Sequence, residues 1–138
     1  MSERLPGTAL EADRVVPGMP LTEASTGEAR SLWSLRQRFA AIVLFLHADC
    51  QRCAVFEQEL RGLGTDVERA DGRIVVTHDT PARFLGDGQP PVAVVLDRYG
   101  AAFRSYPAPG HAFPPASEVV ETLWHLATMC PECGVSTW

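Results

Sequence analysis

The chain has 138 residues, 46% of them apolar and 21% charged, with a net charge of −5. A single domain of that size buries roughly two thirds of its unfolded surface, so it needs neither a disulfide nor a metal to fold. The acidic balance argues against a nucleic-acid or anionic-membrane binder, and all twelve basic residues are arginine, which excludes Schiff-base and lysine acid–base chemistry.

Residues 1 to 13 are polar and carry no period, as a loose tail would. MSERLPGTALEADR lacks the apolar core of a secretory signal, and no stretch approaches the ~18 apolar residues of a membrane span. The expectation is a soluble cytoplasmic protein with no membrane and no nucleic-acid partner. Thiols are normally reduced there, so paired cysteines point to catalysis or metal binding rather than to structural disulfides.

RVVPGMPLTEASTGEARSLWSL is punctuated by Pro17, Gly18 and Pro20 and reads as extended, turning chain. Leu32, Trp33 and Leu35 suit a short turn packed on the core. AAIVLFLH (Ala40 to His47) is continuously apolar, as a strand buried on both faces is. Asp49 is placed to cap a helix from Cys50 to Leu63. Cys53, Phe56 and Leu60 point inward, with Leu63 or Val55 beside them, and Gly62 and Gly64 close the helix.

RIVVTH (Arg73 to His78) is a second buried strand. Thr80 and Pro81 open a short helix through Leu85. PPVAVVLD (Pro90 to Asp97) is a third strand, DRYG a turn, and AFRSY (Ala102 to Tyr106) the returning strand. Ser117 is placed to cap a last helix whose apolar face is Val119, Val120, Leu123, Leu126 and Ala127. Trp33 and Trp124 are expected on the core, and His111 and His125 at the surface. A right-handed crossover makes the first two strands parallel neighbours, and the hairpin adds an antiparallel edge. The result is an α/β or α+β sandwich around a mixed sheet.

Cys50 and Cys53 lie where the first strand ends and the first helix begins. A nucleophilic thiol must be a thiolate. The free N–H groups and dipole of a helix N-terminus lower a thiol pKa from about 8.5 into the range ~3.5–7.5. Cys50 would be the exposed attacking thiol and Cys53, one turn in, the buried resolving thiol. Arg52 between them favours the thiolate, and Asp49 works against it. The other readings of the pair are half a metal site, or two cysteines filling core space.

FLHADCQRC (Phe45 to Cys53) resembles the active-site segment of thioredoxin-like proteins, and the element order is that of the thioredoxin fold. VPGMPLTEASTGEARSLWSLRQRFAAIVLFL resembles the lead-in of the peroxiredoxin-like redoxin branch, and PPVAVVLDRYGAAFRSY its later hairpin. The resemblance covers residues 14 to 129. It implies a thioredoxin fold, a central mixed sheet flanked by helices with an N-terminal redoxin-type extension. It also implies a cis Pro90–Pro91 bond, with Pro91 holding the substrate backbone opposite the cysteines.

Two places depart from the family patterns. Peroxiredoxins carry proline and threonine seven and three residues before the peroxide-reactive cysteine. Counted from Cys50 those places hold Val43 and His47; counted from Cys53 they hold Leu46 and Cys50. Thioredoxins carry a buried acid six residues before the first cysteine, where this chain has Leu44. His47 is the nearest candidate proton acceptor.

Cys130 and Cys133 repeat the spacing in a tail spanning 130 to 138. Cys-Pro-x-Cys knuckles occur in zinc sites, but 76 residues separate the pairs. A helix from Glu118 to Met129, about 18 Å long, carries the tail away from the first pair. The tail is read as a separate feature: a second dithiol that passes electrons, an intermolecular zinc or disulfide link through Cys130 and Cys133 in a homodimer, or a solvent-exposed tail.

The expected activity is thiol–disulfide exchange through Cys50, with Cys53 resolving, a redox-active disulfide and no cofactor. The partner would be a dithiol protein or a low-molecular-weight thiol. Hydroperoxide reduction is the alternative enzyme. A non-catalytic module holding zinc on cysteines, or serving as a subunit of an assembly, is the alternative from another class.

Overall fold

The structure, a computed structural model, describes residues 21–23, 26–30, 39–79, 82, 89–98 and 102–127. In chain order these form β1 (Leu21–Glu23), β2 (Ala29–Arg30), β3 (Ala40–Leu46), α1 (Gln51–Arg61) and α2 (Gly64–Arg69). There follow β4 (Gly72–His78), β5 (Val92–Leu96), β6 (Ala102–Pro107), a 3-10 turn (Pro109–His111) and α3 (Ala116–Ala127). The expected helix over Thr80–Leu85, apart from the buried Ala82, lies outside the described residues, as do Trp33 and the Cys130–Cys133 tail.

The strands form one mixed sheet in the order β2-β1-β4-β3-β5-β6. β3 and β4 are parallel, from Ala40 opposite Gly72 to Leu46 opposite His78. β5 lies antiparallel to β3, and β6 closes that edge antiparallel to β5. The continuous apolar run of β3 is central, and Ala41 to Leu46 are each no more than 1% exposed. Its alternate side chains serve two layers. Ile42, Leu44 and Leu46 pack with α1 and α3 through Phe56, Leu60 and Leu123. Ala41, Val43 and Phe45 join Leu21, Val75 and Val94 on the other face. Each large apolar side chain taken fully out of water stabilises the fold by about 1.5–3 kcal/mol.

Several boundaries differ from the sequence expectation. The helix expected through Leu63 ends at Arg61, and Gly62 caps it with ordinary right-handed dihedrals. A separate short helix, α2, follows and buries only Val67. Val55 points outward, 49% exposed, while the half-buried Leu63 packs against the core. Ser117 is not the cap of the last helix, which starts one residue earlier at Ala116, right after Pro115. Trp124 is 37% exposed rather than packed in the core. Tyr106 on β6 hydrogen-bonds to Thr122 on α3, tying the edge strand to the helix layer. Arg73 on β4 lies 3.9 Å from the buried carboxylate of Glu23 on β1.

Gly72 starts β4 against Val67 of α2 and Leu123 of α3. A Cβ there would sit 2.5 Å from Leu123 Cδ2 and 3.1 Å from the Val67 backbone oxygen. Leu123 is fully buried, so its side chain yields only by repacking the core around it. Gly72→Ala is therefore expected to destabilise the protein by about 1–3 kcal/mol, the usual cost of overpacking. Urea unfolding measures this; an unchanged midpoint would contradict the packing described.

Candidate active site

The site begins at the C-terminal end of β3. After Leu46 the chain turns through Ala48 and Asp49, and Asp49 takes a left-handed φ of 28°. Aspartate tolerates that region better than most residues. Asp79, just past β4, clamps the turn. Its N–H donates to the Leu46 carbonyl at 2.7 Å, and its Oδ1 accepts the Ala48 N–H at 3.3 Å. The same oxygen lies 3.7 Å from His47 Nδ1.

Asp49 belongs to this turn and does not cap α1. Cys50 is the N-cap, with extended dihedrals of −125° and 113°. Its Sγ accepts the backbone N–H of Cys53 at 3.2 Å. A sulfur in the cap position meets a free N–H of the helix start, where negative charge is favoured. Cys50 is half-buried and Cys53 buried, and both thiols are free. Asp49 and Cys50 both suit a helix start, so sequence alone did not separate them.

The two thiols differ chemically. Burial pushes the Cys53 thiol up from 9.0 to about 11; the contact with the Cys50 sulfur adds to this, and the His47 backbone opposes it. The fold thus holds Cys53 protonated where the unfolded chain would ionise. The unfolded state then binds fewer protons, so this group costs no stability below about pH 9 and an increasing amount as pH rises towards about 11. The chain has no lysine, but three other cysteines and two tyrosines belong to residue types that ordinarily ionise in this range, so the variant comparison is what isolates the Cys53 share. Urea unfolding across this window is expected to show the loss, and Cys53→Ala to flatten it. Equal slopes for both proteins would contradict the assignment.

A third group stands beside the sulfurs. His111, expected at the surface, is half-buried in the turn after β6. Its ligating nitrogen and the two sulfurs all lie within 4.8 Å of one another. It follows Gly110, and both residues are left-handed, with φ of 62° and 66°. The His111 ring lies 5.4 Å from that of His47 and meets Phe113 edge-on at 6.3 Å. Phe113 in turn stacks on Phe56 of α1 at 4.5 Å. No local signal in the sequence announces His111, because its place depends on how β6 packs. Cys50, Cys53 and His111 are also the one group of three among the described residues that could hold a metal ion.

Two hollows meet at Cys50. A cleft of about 960 Å³ runs between α1 and the 111–115 segment, lined by Cys50, Arg52, Val55, Phe56, His111 and Phe113 among others. A smaller one of about 440 Å³ is bordered by His47, Asp49, Cys50, Cys53 and His78. Arg52 is exposed on the first of these. The Pro90–Pro91 bond is cis. Val92 pairs with Phe45, so Pro91 opens β5 at the sheet end where β3 runs out towards Cys50. The Pro91 carbonyl accepts the Ala108 N–H at 3.0 Å, just before the turn that carries His111.

A buried strand running into C-x-x-C at a helix start, within a mixed sheet covered by helices, defines a thioredoxin-like fold. Solved structures agree. Peroxiredoxin Q of Xanthomonas campestris matches over 92% of this chain and 100% of its own, with TM-score 0.66 and 10% identity. A secreted thiol-disulfide isomerase of Corynebacterium glutamicum matches over 78% and 82%, with TM-score 0.60 and 13% identity. The bacterioferritin comigratory protein of Xanthomonas campestris, studied for its alkyl peroxide reduction activity, matches over 88% and 98%, with TM-score 0.59 and 13% identity. The chain therefore has the thioredoxin-like fold found in peroxiredoxins and in a thiol-disulfide isomerase. No protein-family model matches the sequence, and no curated protein matches it. Among the described residues no helix is long and apolar enough to cross a membrane.

Proposed function

We propose that the protein is a thiol–disulfide oxidoreductase. The observation that carries this reading is the asymmetry of the pair. Cys50 caps α1 at the edge of a cleft, while Cys53 sits one turn in, buried and protonated. The Cys50 thiolate attacks a substrate disulfide, forms a mixed disulfide and releases one thiolate, which takes up a proton. Cys53 then gives its proton to His47 and attacks the Cys50 sulfur. The second substrate thiolate leaves and is protonated, and the Cys50–Cys53 disulfide remains. Two electrons have passed from the dithiol to the substrate. A partner dithiol protein or a low-molecular-weight thiol reduces the pair again. Arg52 favours the attacking thiolate, and Pro91 holds the substrate backbone. The reading places the protein in a reducing compartment such as the cytoplasm.

Hydroperoxide reduction is the second reading. The likeness to peroxiredoxin Q and the apolar wall of Val55, Phe56 and Phe113 favour it. The absence of the proline–threonine pattern at Val43 and His47 counts against it. Parallel assays separate the two: dithiothreitol-driven insulin reduction, and consumption of an alkyl hydroperoxide. Exchange predicts insulin reduction well above background, with Cys53→Ser trapping a mixed disulfide on Cys50. Peroxide consumption without insulin reduction or a trapped complex would overturn it.

A further inference from the structure

We propose that reduced Cys50 and Cys53, together with His111, form a three-donor site for one thiophilic metal cation, and that closing the Cys50–Cys53 disulfide removes it. Two soft sulfurs and one imidazole are the donors that Cu(I) and Zn(II) prefer. Metal–sulfur bonds of about 2.3 Å and metal–nitrogen bonds of about 2.0 Å put neighbouring donors about 3.5–4 Å apart. The three atoms here lie within 4.8 Å of one another, so a closure of at most about 1.3 Å in any pair brings them onto one ion.

The donors come from two separate pieces of the fold. The sulfurs sit on the first turn of α1 and the imidazole on the turn after β6. Gly110 and His111 in left-handed conformation carry the ring back towards the helix start, and Phe113, which meets that ring edge-on and stacks on Phe56, anchors the segment to the core. Cys50 and His111 both border the open cleft, which gives an ion an entry path. With three protein donors, Cu(I) is satisfied as a trigonal centre, whereas Zn(II) keeps a fourth position for water. Binding needs both thiolates and so releases protons. A disulfide takes away two of the three donors. That redox gating rests on the exchange reading; cation binding by the reduced pair does not.

The test uses the full chain with Cys130→Ser and Cys133→Ser, so that the tail offers no sulfur. Reduced protein competes anaerobically for Cu(I) against bicinchoninate and for Zn(II) against a pyridylazo dye. One ion per chain is expected, none after oxidation with diamide, and affinity at least about tenfold weaker in His111→Ala with an unchanged urea midpoint. Competition for either ion supports the site, and the ion held more tightly is its cation. No binding of either ion by the reduced protein, or equal binding with and without His111, overturns the site. Insulin reduction measured on the same reduced, metal-free protein keeps the two ideas apart. Exchange without cation binding sinks only the site, and binding without exchange sinks only the oxidoreductase reading.

Discussion

Cys50→Ser is expected to lower insulin reduction by about a thousandfold or more, the scale of loss when a covalent nucleophile is removed. Serine leaves the cap geometry intact, since a hydroxyl also accepts the N–H of Cys53. What disappears is, among the described residues, the only sulfur that lines the larger cleft. Cys53 cannot take over, because it is 1% exposed and its thiol is pushed up to about 11. Cys53→Ser keeps the first half of the reaction and loses the second, so it accumulates a mixed disulfide with substrate. A Cys50→Ser variant that retains more than about a tenth of the activity would contradict this division of roles.

Phe56→Ala is expected to cost about 3–5 kcal/mol of stability, the range for truncating a buried phenylalanine. Phe56 is 2% exposed and lies in the helix-side core with Leu60 and Leu123. One of its ring faces stacks on Phe113, so the same change removes the floor beneath the segment that carries His111. The half-buried Phe113 shares the stack but little of the core. Phe113→Ala is expected to cost less, with the stacking itself about 0.5–1.5 kcal/mol of the loss. Urea unfolding of both variants tests the order. A Phe56→Ala loss below about 1 kcal/mol would mean that α1 is not seated as described.

The sequence was most legible where burial alone dictates pattern. β3 and β5 read as unbroken apolar runs because both faces are covered. Cys53, Phe56 and Leu60 read as one helix face because they are three and four residues apart. The C-x-x-C pair stood out because a strand end and a helix start met there. β1 and β2 left no such mark: at three and two residues they exist through pairing, β1 with β4 and β2 with β1. α2 buries a single side chain and so carries no period.

His111 is the instructive omission. It lies 58 positions from Cys53 in a proline-rich connection, and only the return of β6 along β5 brings it to the sulfurs. The nearest clue was Gly110, whose left-handed conformation begins the reversal. The helix cap shows the opposite difficulty. Asp49 and Cys50 are adjacent, both can accept a backbone N–H, and the choice is made by the turn that Asp79 clamps.

The most direct test of the account is to map disulfides after equilibration in glutathione buffers of graded potential, with free thiols alkylated before digestion and mass spectrometry. The account predicts one intramolecular Cys50–Cys53 link that forms as the buffer becomes oxidising and reverses with dithiothreitol. Both thiols remaining free in the most oxidising buffer, or Cys50 pairing with Cys130 or Cys133 instead, would contradict it.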